Sequence, residues 1–183
     1  MEIALFLAGV ATLAACAAWL RLARARDCIL AHPHVAPLAE ALPVHAPLVA
    51  DLTKELADIA GVPAPDIYVY RAALPNAFVS IRHLRPEMFL ADELFEQVNH
   101  DQGRAVLELA DTIAHELAHV KLHQTLAHAI FWWMKSSNIG TGIASVALRR
   151  IEREADVEAE KVMQVFRQRH ALAPTTSAPT ASV

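Results

Sequence analysis

The spacing of apolar residues changes along the chain, and each spacing predicts a different kind of element. From Pro47 to Gly61 apolar residues recur every three or four positions, which predicts an amphipathic helix that ends at Gly61. At 67–70 and 77–82 apolar and polar residues alternate, which predicts two strands, and 88–90 is a candidate third strand. This part of the chain therefore combines a helix with a small sheet.

The helical spacing returns in the second half of the chain. Residues 92–98 predict a short helix, and a longer one follows from Arg104, with a buried stripe formed by Val106, Leu109, Ile113, Leu117 and Val120. Residues 125–148 are apolar with a polar, glycine-containing break, which predicts two short helices. They could lie at a bilayer surface, but we expect core packing. A charged helix is predicted over 149–170.

The N-terminal run 3–20 contains no charged residue. At 1.5 Å per residue it is about 27 Å long as a helix, enough to cross a bilayer core. Three arginines follow at once, so the positive-inside rule predicts a single-pass anchor with the rest of the chain in the cytoplasm. A lipoprotein or exported form is the alternative, with Cys16 as the lipidated residue, and a buried core helix is a third interpretation.

These patterns predict an α+β fold, mostly helical with a small antiparallel sheet, preceded by one transmembrane helix. The predicted divisions are an anchor at 1–26, a proline-rich linker at 27–46, a folded domain at 47–170 and a disordered tail at 171–183. A folded part of this length forms one domain rather than two.

The composition argues against a nucleic-acid partner and against a cysteine-based metal site. The net charge of -4 gives no basic surface for nucleic acid, so a nucleic-acid partner is not expected. The only cysteines, Cys16 and Cys28, lie near the N-terminus and provide neither a disulfide framework nor a cysteine metal site. A bound metal would therefore be held by histidine and carboxylate.

Such residues stand in an H-E-x-x-H motif formed by His115, Glu116 and His119. Residues four apart share one face of a helix, so both imidazoles can reach one Zn²⁺. Glu116 leans towards the side where a metal-bound water would lie, which suits a general base better than a ligand. A catalytic zinc site needs a third protein ligand that leaves one position open.

The charged helix supplies candidates for that third ligand. Glu152 and Asp156 are four residues apart and share a face, so one carboxylate could bind the metal and the other could support a ligand. The alternative is a solvated helix face without a metal role. Glu154 is the rival ligand, but it lies about 200° round the helix from Glu152, so both cannot face one ion.

Together these motifs resemble the HtpX and CAAX prenyl protease (type 1) family of membrane zinc metallopeptidases. H-E-x-x-H is followed by E-x-x-A-D at Glu152, Ala155 and Asp156, and the family's N-A-F segment is matched upstream by Asn76, Ala77 and Phe78. The resemblance covers roughly residues 48–163 and implies a zincin-like metallopeptidase domain. It implies one Zn²⁺ per chain held by His115, His119 and Glu152.

The resemblance also implies the remaining roles. Glu116 would be the general base for a zinc-activated water, and Asp156 would orient a ligand imidazole. The strand from Asn76 would lie at the sheet edge and pair with an extended substrate. The implied function is a membrane-anchored zinc metalloendopeptidase in protein quality control, with polypeptide substrates that include misfolded membrane proteins. The alternative is a non-catalytic zinc-binding chaperone-like or adaptor protein, against which the intact Glu116 argues.

Other polar residues have less defined expectations. Four candidates to stabilise the oxyanion cannot be ranked: His170, Tyr68, Tyr70 and Arg149. His123 extends the face of His119 and is expected to pack or hydrogen-bond near the site. His128, His83 and His100 are expected to be ordinary surface or core histidines.

Overall fold

The computed structural model describes residues 34–82, 85–96, 102–136 and 140–170. Within these ranges the elements follow one another as β1 (Val35–Pro37), α1 (Leu38–Ala41), α2 (Ala46–Ala60), β2 (Asp66–Tyr70), β3 (Ala77–Arg82), β4 (Arg85–Ala91), α3 (Glu93–Glu96), α4 (Gln102–Lys121), α5 (Thr125–Ser136) and α6 (Thr141–Arg169). Helices α2, α4 and α6 pack on one another, and β3 packs against α4. The mostly helical α+β class is therefore confirmed.

The four strands form a mixed sheet in the order β1-β2-β4-β3. Strand β2 pairs with β4 in parallel, whereas the pairs β1–β2 and β3–β4 are antiparallel. The prediction of an antiparallel sheet was wrong because β4, not β3, lies beside β2. The apolar residues from Met88 to Ala91 are fully buried, and such a strand lies in the interior of a sheet. This order leaves β3 at the edge, as predicted.

Aromatic rings fix the position of the edge strand. Tyr68, Phe89 and Phe78 lie opposite one another on β2, β4 and β3. Their rings stack with centroid distances of 5.3 Å between Tyr68 and Phe89 and 4.7 Å between Phe89 and Phe78. Such pairs contribute about 0.5–1.5 kcal/mol each beyond the burial of their area. The ladder therefore stabilises the register of β3 beside the helices.

The amphipathic helices agree with the sequence pattern. On α4 the predicted stripe residues Leu109, Ile113, Leu117 and Val120 are buried, and Val106 packs against the core. Helix α2 ends at Gly61, whose φ of 75° lies in the left-handed region that glycine adopts without strain. The short helix predicted at 92–98 is present as α3.

Helix α6 is longer than predicted. The expected second short helix and the charged helix form one continuous helix of 29 residues, which includes Gly142. A glycine inside a helix costs about 1 kcal/mol, and burial of Ala144 and Leu148 offsets that cost. The expectation of core packing over 125–148 was wrong for part of the segment, since Trp132, Ile143 and Val146 are largely exposed.

Part of the predicted linker has regular structure. Residues 35–41 form β1 and α1, and β1 pairs with β2 from Val35 to Pro37. The prolines did not prevent this pairing because β1 is an edge strand, where a missing N–H can face away from the sheet. No helix within the described ranges is both long and apolar enough to cross a membrane. The predicted anchor and tail lie outside those ranges.

Candidate metal centre

Helices α4 and α6 bring three potential metal ligands together. His115 Nε2 lies 3.2 Å from Glu152 Oε2, and His119 Nε2 lies 3.8 Å from the same oxygen. One ligand atom from each of the three residues lies within 4.8 Å of the other two. The imidazoles are neighbours on α4 because they are one turn apart, and Glu152 reaches them from the middle of α6.

Small side chains allow this approach of the two helices. Ala110, Ala114 and Ala118 on α4 are fully buried, and α6 carries buried Ala155 and Ala159. The separation of packed helices depends on the side chains at their contact, and alanine permits short distances. An ion pair of 2.6 Å between Lys121 Nζ and Glu158 Oε1 also joins the two helices. The packing of α4 on α6 thus places the backbone of Glu152 close enough for its carboxylate to reach the two imidazoles.

Asp156 lies where an orienting group for the first imidazole is expected. Its Oδ1 is 3.0 Å from His115 Nδ1. A carboxylate at this distance favours a proton on Nδ1, and Nε2 would then be free to bind a metal ion held between it and Glu152. One turn of α6 separates Asp156 from Glu152, so a single helix provides both contacts to His115.

The second imidazole has a partner that sequence reasoning missed. Gln124 is buried, and its Oε1 lies 3.2 Å from His119 Nδ1 while its Nε2 donates a 2.8 Å hydrogen bond to Glu154 Oε2. Glu154 also accepts a 2.8 Å bond from Arg150. Since the Gln124 oxygen accepts, His119 carries its proton on Nδ1 and presents Nε2 to Glu152. Glu154, the rival ligand, therefore does not contact the imidazoles directly; it binds Gln124, which in turn contacts His119.

His128 also belongs to the site, contrary to the prediction of an ordinary histidine. Its Nε2 lies 2.8 Å from Glu152 Oε1, and its ring stacks on that of His119 with centroids 5.2 Å apart. No motif spacing identifies it, because α5 places it there through tertiary packing on α6 and β3. A histidine in the first turn of a mostly apolar helix was the signal that the sequence offered.

Glu116 is buried beside the three candidate ligands. Burial raises the pKa of Glu116 to about 7, an effect that nearby Glu152 adds to and His115 and a hydrogen bond from the Val79 backbone N–H oppose. Burial likewise lowers the pKa of His119, which favours the neutral imidazole that binds metals. A carboxylate with a pKa near neutral is suited to take up and return a proton.

A cleft of about 740 Å³ lies over these groups. Its lining includes His115, Glu116, His119, His128 and Glu152, and the start of β3 forms the opposite wall with Asn76, Ala77, Phe78 and Val79. The segment that sequence reasoning assigned to substrate therefore faces the candidate ligands across one cavity. Its volume is in the range of ligand-binding clefts.

None of the four oxyanion candidates is among the described residues that line the cleft, and His170 is 3.1 Å from Glu55 at the end of α6. Tyr70 nevertheless lies close to the site, since burial and the nearby charge of Glu116 raise its pKa. His123 does not extend the face of His119, because it follows the end of α4 with a positive φ of 54° and is exposed. His83 and His100 lie outside the described ranges.

Comparison with known proteins adds independent information. The profile of peptidase family M48 matches residues 43–177. The chain is 34% identical over 103 residues to a protein named "Protease HtpX homolog" from Syntrophobacter fumaroxidans, covering 56% of this chain and 33% of that protein. A protein of the same name from Sulfurihydrogenibium is 32% identical over 103 residues, covering 56% and 31%. No solved structure matches significantly.

The aligned segment is short in these relatives, since the chain spans about one third of their length. The family profile, in contrast, covers most of the chain, including both helices that carry the candidate ligands. This coverage agrees with the resemblance of the three sequence motifs, and the chain belongs to peptidase family M48.

Proposed function

We propose that this protein is a zinc-dependent metalloendopeptidase whose metal is held by His115, His119 and Glu152. The convergence of their ligand atoms beneath a cleft, with a buried carboxylic acid beside them, supports this proposal most directly. Membership in a peptidase family supports it independently. The membrane anchor at 1–26 and a role in protein quality control are part of the same proposal.

The donor set fits zinc. Two imidazole nitrogens and one glutamate oxygen form one of the common catalytic zinc sets. Donors on one tetrahedral ion at about 2.1 Å lie about 3.4 Å apart. The distances of 3.2 and 3.8 Å from Glu152 Oε2 to the two imidazoles are close to that value. A zinc ion held there would acidify a water molecule, polarise the scissile carbonyl and favour the ionised form of Glu116.

The chain's own groups supply the proton transfers. Glu116, ionised, accepts a proton from the attacking water and then donates it to the leaving amine. Its burial excludes bulk solvent from that transfer, and its side chain lines the same cleft as Val79 of the edge strand. The Asp156 and Gln124 contacts hold the two imidazoles in the tautomer that presents Nε2 to the metal.

The substrate in this proposal is an extended polypeptide. Strand β3 pairs with β4 on one side and forms the end of the sheet on the other. An edge strand can bind a peptide by main-chain hydrogen bonds, which do not depend on side-chain sequence. Because Asn76, Ala77 and Phe78 line the cleft, a peptide beside β3 would pass the candidate metal ligands.

Cleavage of an unfolded protein tests the proposal. The full chain, purified in a mild detergent, is incubated with unfolded casein, with and without 1,10-phenanthroline. We expect casein fragments in the untreated sample, none with the chelator, and renewed cleavage after zinc is added back, because the ligands alone cannot activate water. A serine-protease inhibitor controls for contamination. If the chain binds zinc and suppresses casein aggregation without cutting it, the adaptor alternative is correct.

A further inference from the structure

The two oxygens of Glu152 face different partners. Oε2 lies 3.2 Å from His115 Nε2 and 3.8 Å from His119 Nε2, between the atoms that would bind the metal. Oε1 lies 2.8 Å from His128 Nε2. Since a carboxylate oxygen can only accept, any proton shared in this close contact belongs to His128 Nε2. His128 thus contacts Oε1, whereas Oε2 is the oxygen that lies beside the two candidate imidazole ligands.

We propose that His128 is a positioning residue that makes Glu152 a one-oxygen ligand and thereby keeps a coordination position open. This inference rests on the proposed zinc centre and assigns a role to a residue outside the three family motifs. A glutamate can bind a cation through one or both oxygens. With both oxygens bound, His115, His119 and Glu152 would provide four donor atoms, so a water could bind only as a fifth ligand and not at the open fourth position of a tetrahedral site.

The surroundings of His128 hold it in place for this function. Its ring stacks on His119 at an interplanar angle of 23°, so it cannot turn freely away from Glu152. Helix α5, which carries it, packs on α6 and on β3, the wall of the cleft. Glu152 itself is 41% exposed, and an exposed side chain without a second partner would rotate among several conformers. The close contact of His128 with Oε1 therefore restrains the Glu152 carboxylate.

Two polar substitutions test the contact between His128 and Glu152 Oε1. In His128→Gln the side-chain amide nitrogen can reach the place of Nε2, whereas in His128→Asn the side chain is one carbon too short. We expect His128→Asn to weaken zinc affinity by about 10–100-fold, the usual cost of losing a partner that supports a ligand. His128→Gln should retain most of the affinity. His123→Asn is the matched control, because His123 is exposed and asparagine tolerates its positive φ.

Cobalt substitution reports the coordination directly. Tetrahedral Co²⁺ absorbs visible light more strongly than five-coordinate Co²⁺, so a glutamate that binds through both oxygens lowers the absorbance. We expect the intense spectrum for the wild type, His128→Gln and His123→Asn, and a weaker one for His128→Asn. Circular dichroism establishes that each variant is folded. A merely structural role for His128 would not separate the glutamine and asparagine variants.

The outcomes separate this proposal from the proposed function. If the wild type cleaves casein and His128→Asn keeps wild-type affinity and cobalt spectrum, the positioning role is wrong while the zinc peptidase stands. Reduced kcat with unchanged affinity and spectrum would instead assign His128 to the substrate oxyanion. Loss of intensity in both polar variants would indicate that His128 is itself a ligand. A wild type that binds neither Zn²⁺ nor Co²⁺ overturns both proposals.

Discussion

Replacing Glu116 by glutamine is expected to lower peptidase activity by about 10²–10⁴-fold, the usual contribution of a general acid–base group. The amide keeps the shape of the side chain and can still contact the Val79 region, but it cannot accept the proton of the attacking water. Zinc content should not change, because Glu116 is not one of the three converging donors. The measurement is kcat for casein cleavage together with metal content.

Asp111→Asn is the matched control on the same helix. Asp111 pairs with Arg167 at 3.1 Å, away from the cleft lining, so losing its charge should leave activity near that of the wild type. Full activity of Glu116→Gln would show that another group accepts the proton. Loss of zinc from Glu116→Gln would show that Glu116 is a metal ligand and not the general base.

The second large effect is expected at Glu152. Glu152→Ala should weaken zinc binding by more than about 100-fold, since even a residue that only supports a ligand typically contributes 10–100-fold. Activity should be lost with the metal. The reason is geometric: Oε2 of Glu152 lies 3.2 Å from His115 Nε2 and 3.8 Å from His119 Nε2, between the two imidazoles. Equilibrium dialysis against a zinc buffer measures the affinity.

Glu154→Ala is the comparison that makes this result specific. The two glutamates lie two residues apart on α6, but Glu154 contacts Gln124 and Arg150 rather than the imidazoles. Its loss frees Gln124 and should weaken zinc binding by no more than about tenfold. If Glu154→Ala releases the metal and Glu152→Ala retains it, the third ligand has been assigned to the wrong residue.

Features that lie within a single helix could be predicted from the sequence. The stripe of Leu109, Ile113, Leu117 and Val120 follows the helical period, and that period also places His115 on the face of His119. The same period applied to α6 shows that Glu152 and Glu154 cannot both face one ion, and the spacing of the family motif favours Glu152. Periodicity succeeds here because it depends only on the geometry of a single helix.

Features that depend on contacts between distant elements could not be predicted in the same way. Alternation along β2 and β3 and the apolar run of β4 indicate strands but not which strand lies beside which, so the parallel pair β2–β4 was missed. The continuity of α6 through Gly142 depends on tertiary burial, which outweighs glycine's low helix propensity. His128 and Gln124 reach the site only because α4, α5 and α6 pack together.

The central claim is that two imidazoles of α4 and one carboxylate oxygen of α6 hold the same metal ion. Anomalous diffraction at the zinc absorption edge, from crystals of the wild-type chain grown with zinc, tests it most directly. We expect one peak bonded to His115 Nε2, His119 Nε2 and Glu152 Oε2 at about 2.0–2.2 Å, with Oε1 left to His128. A peak at other residues, or a Glu152 carboxylate turned away from the metal, would contradict the account.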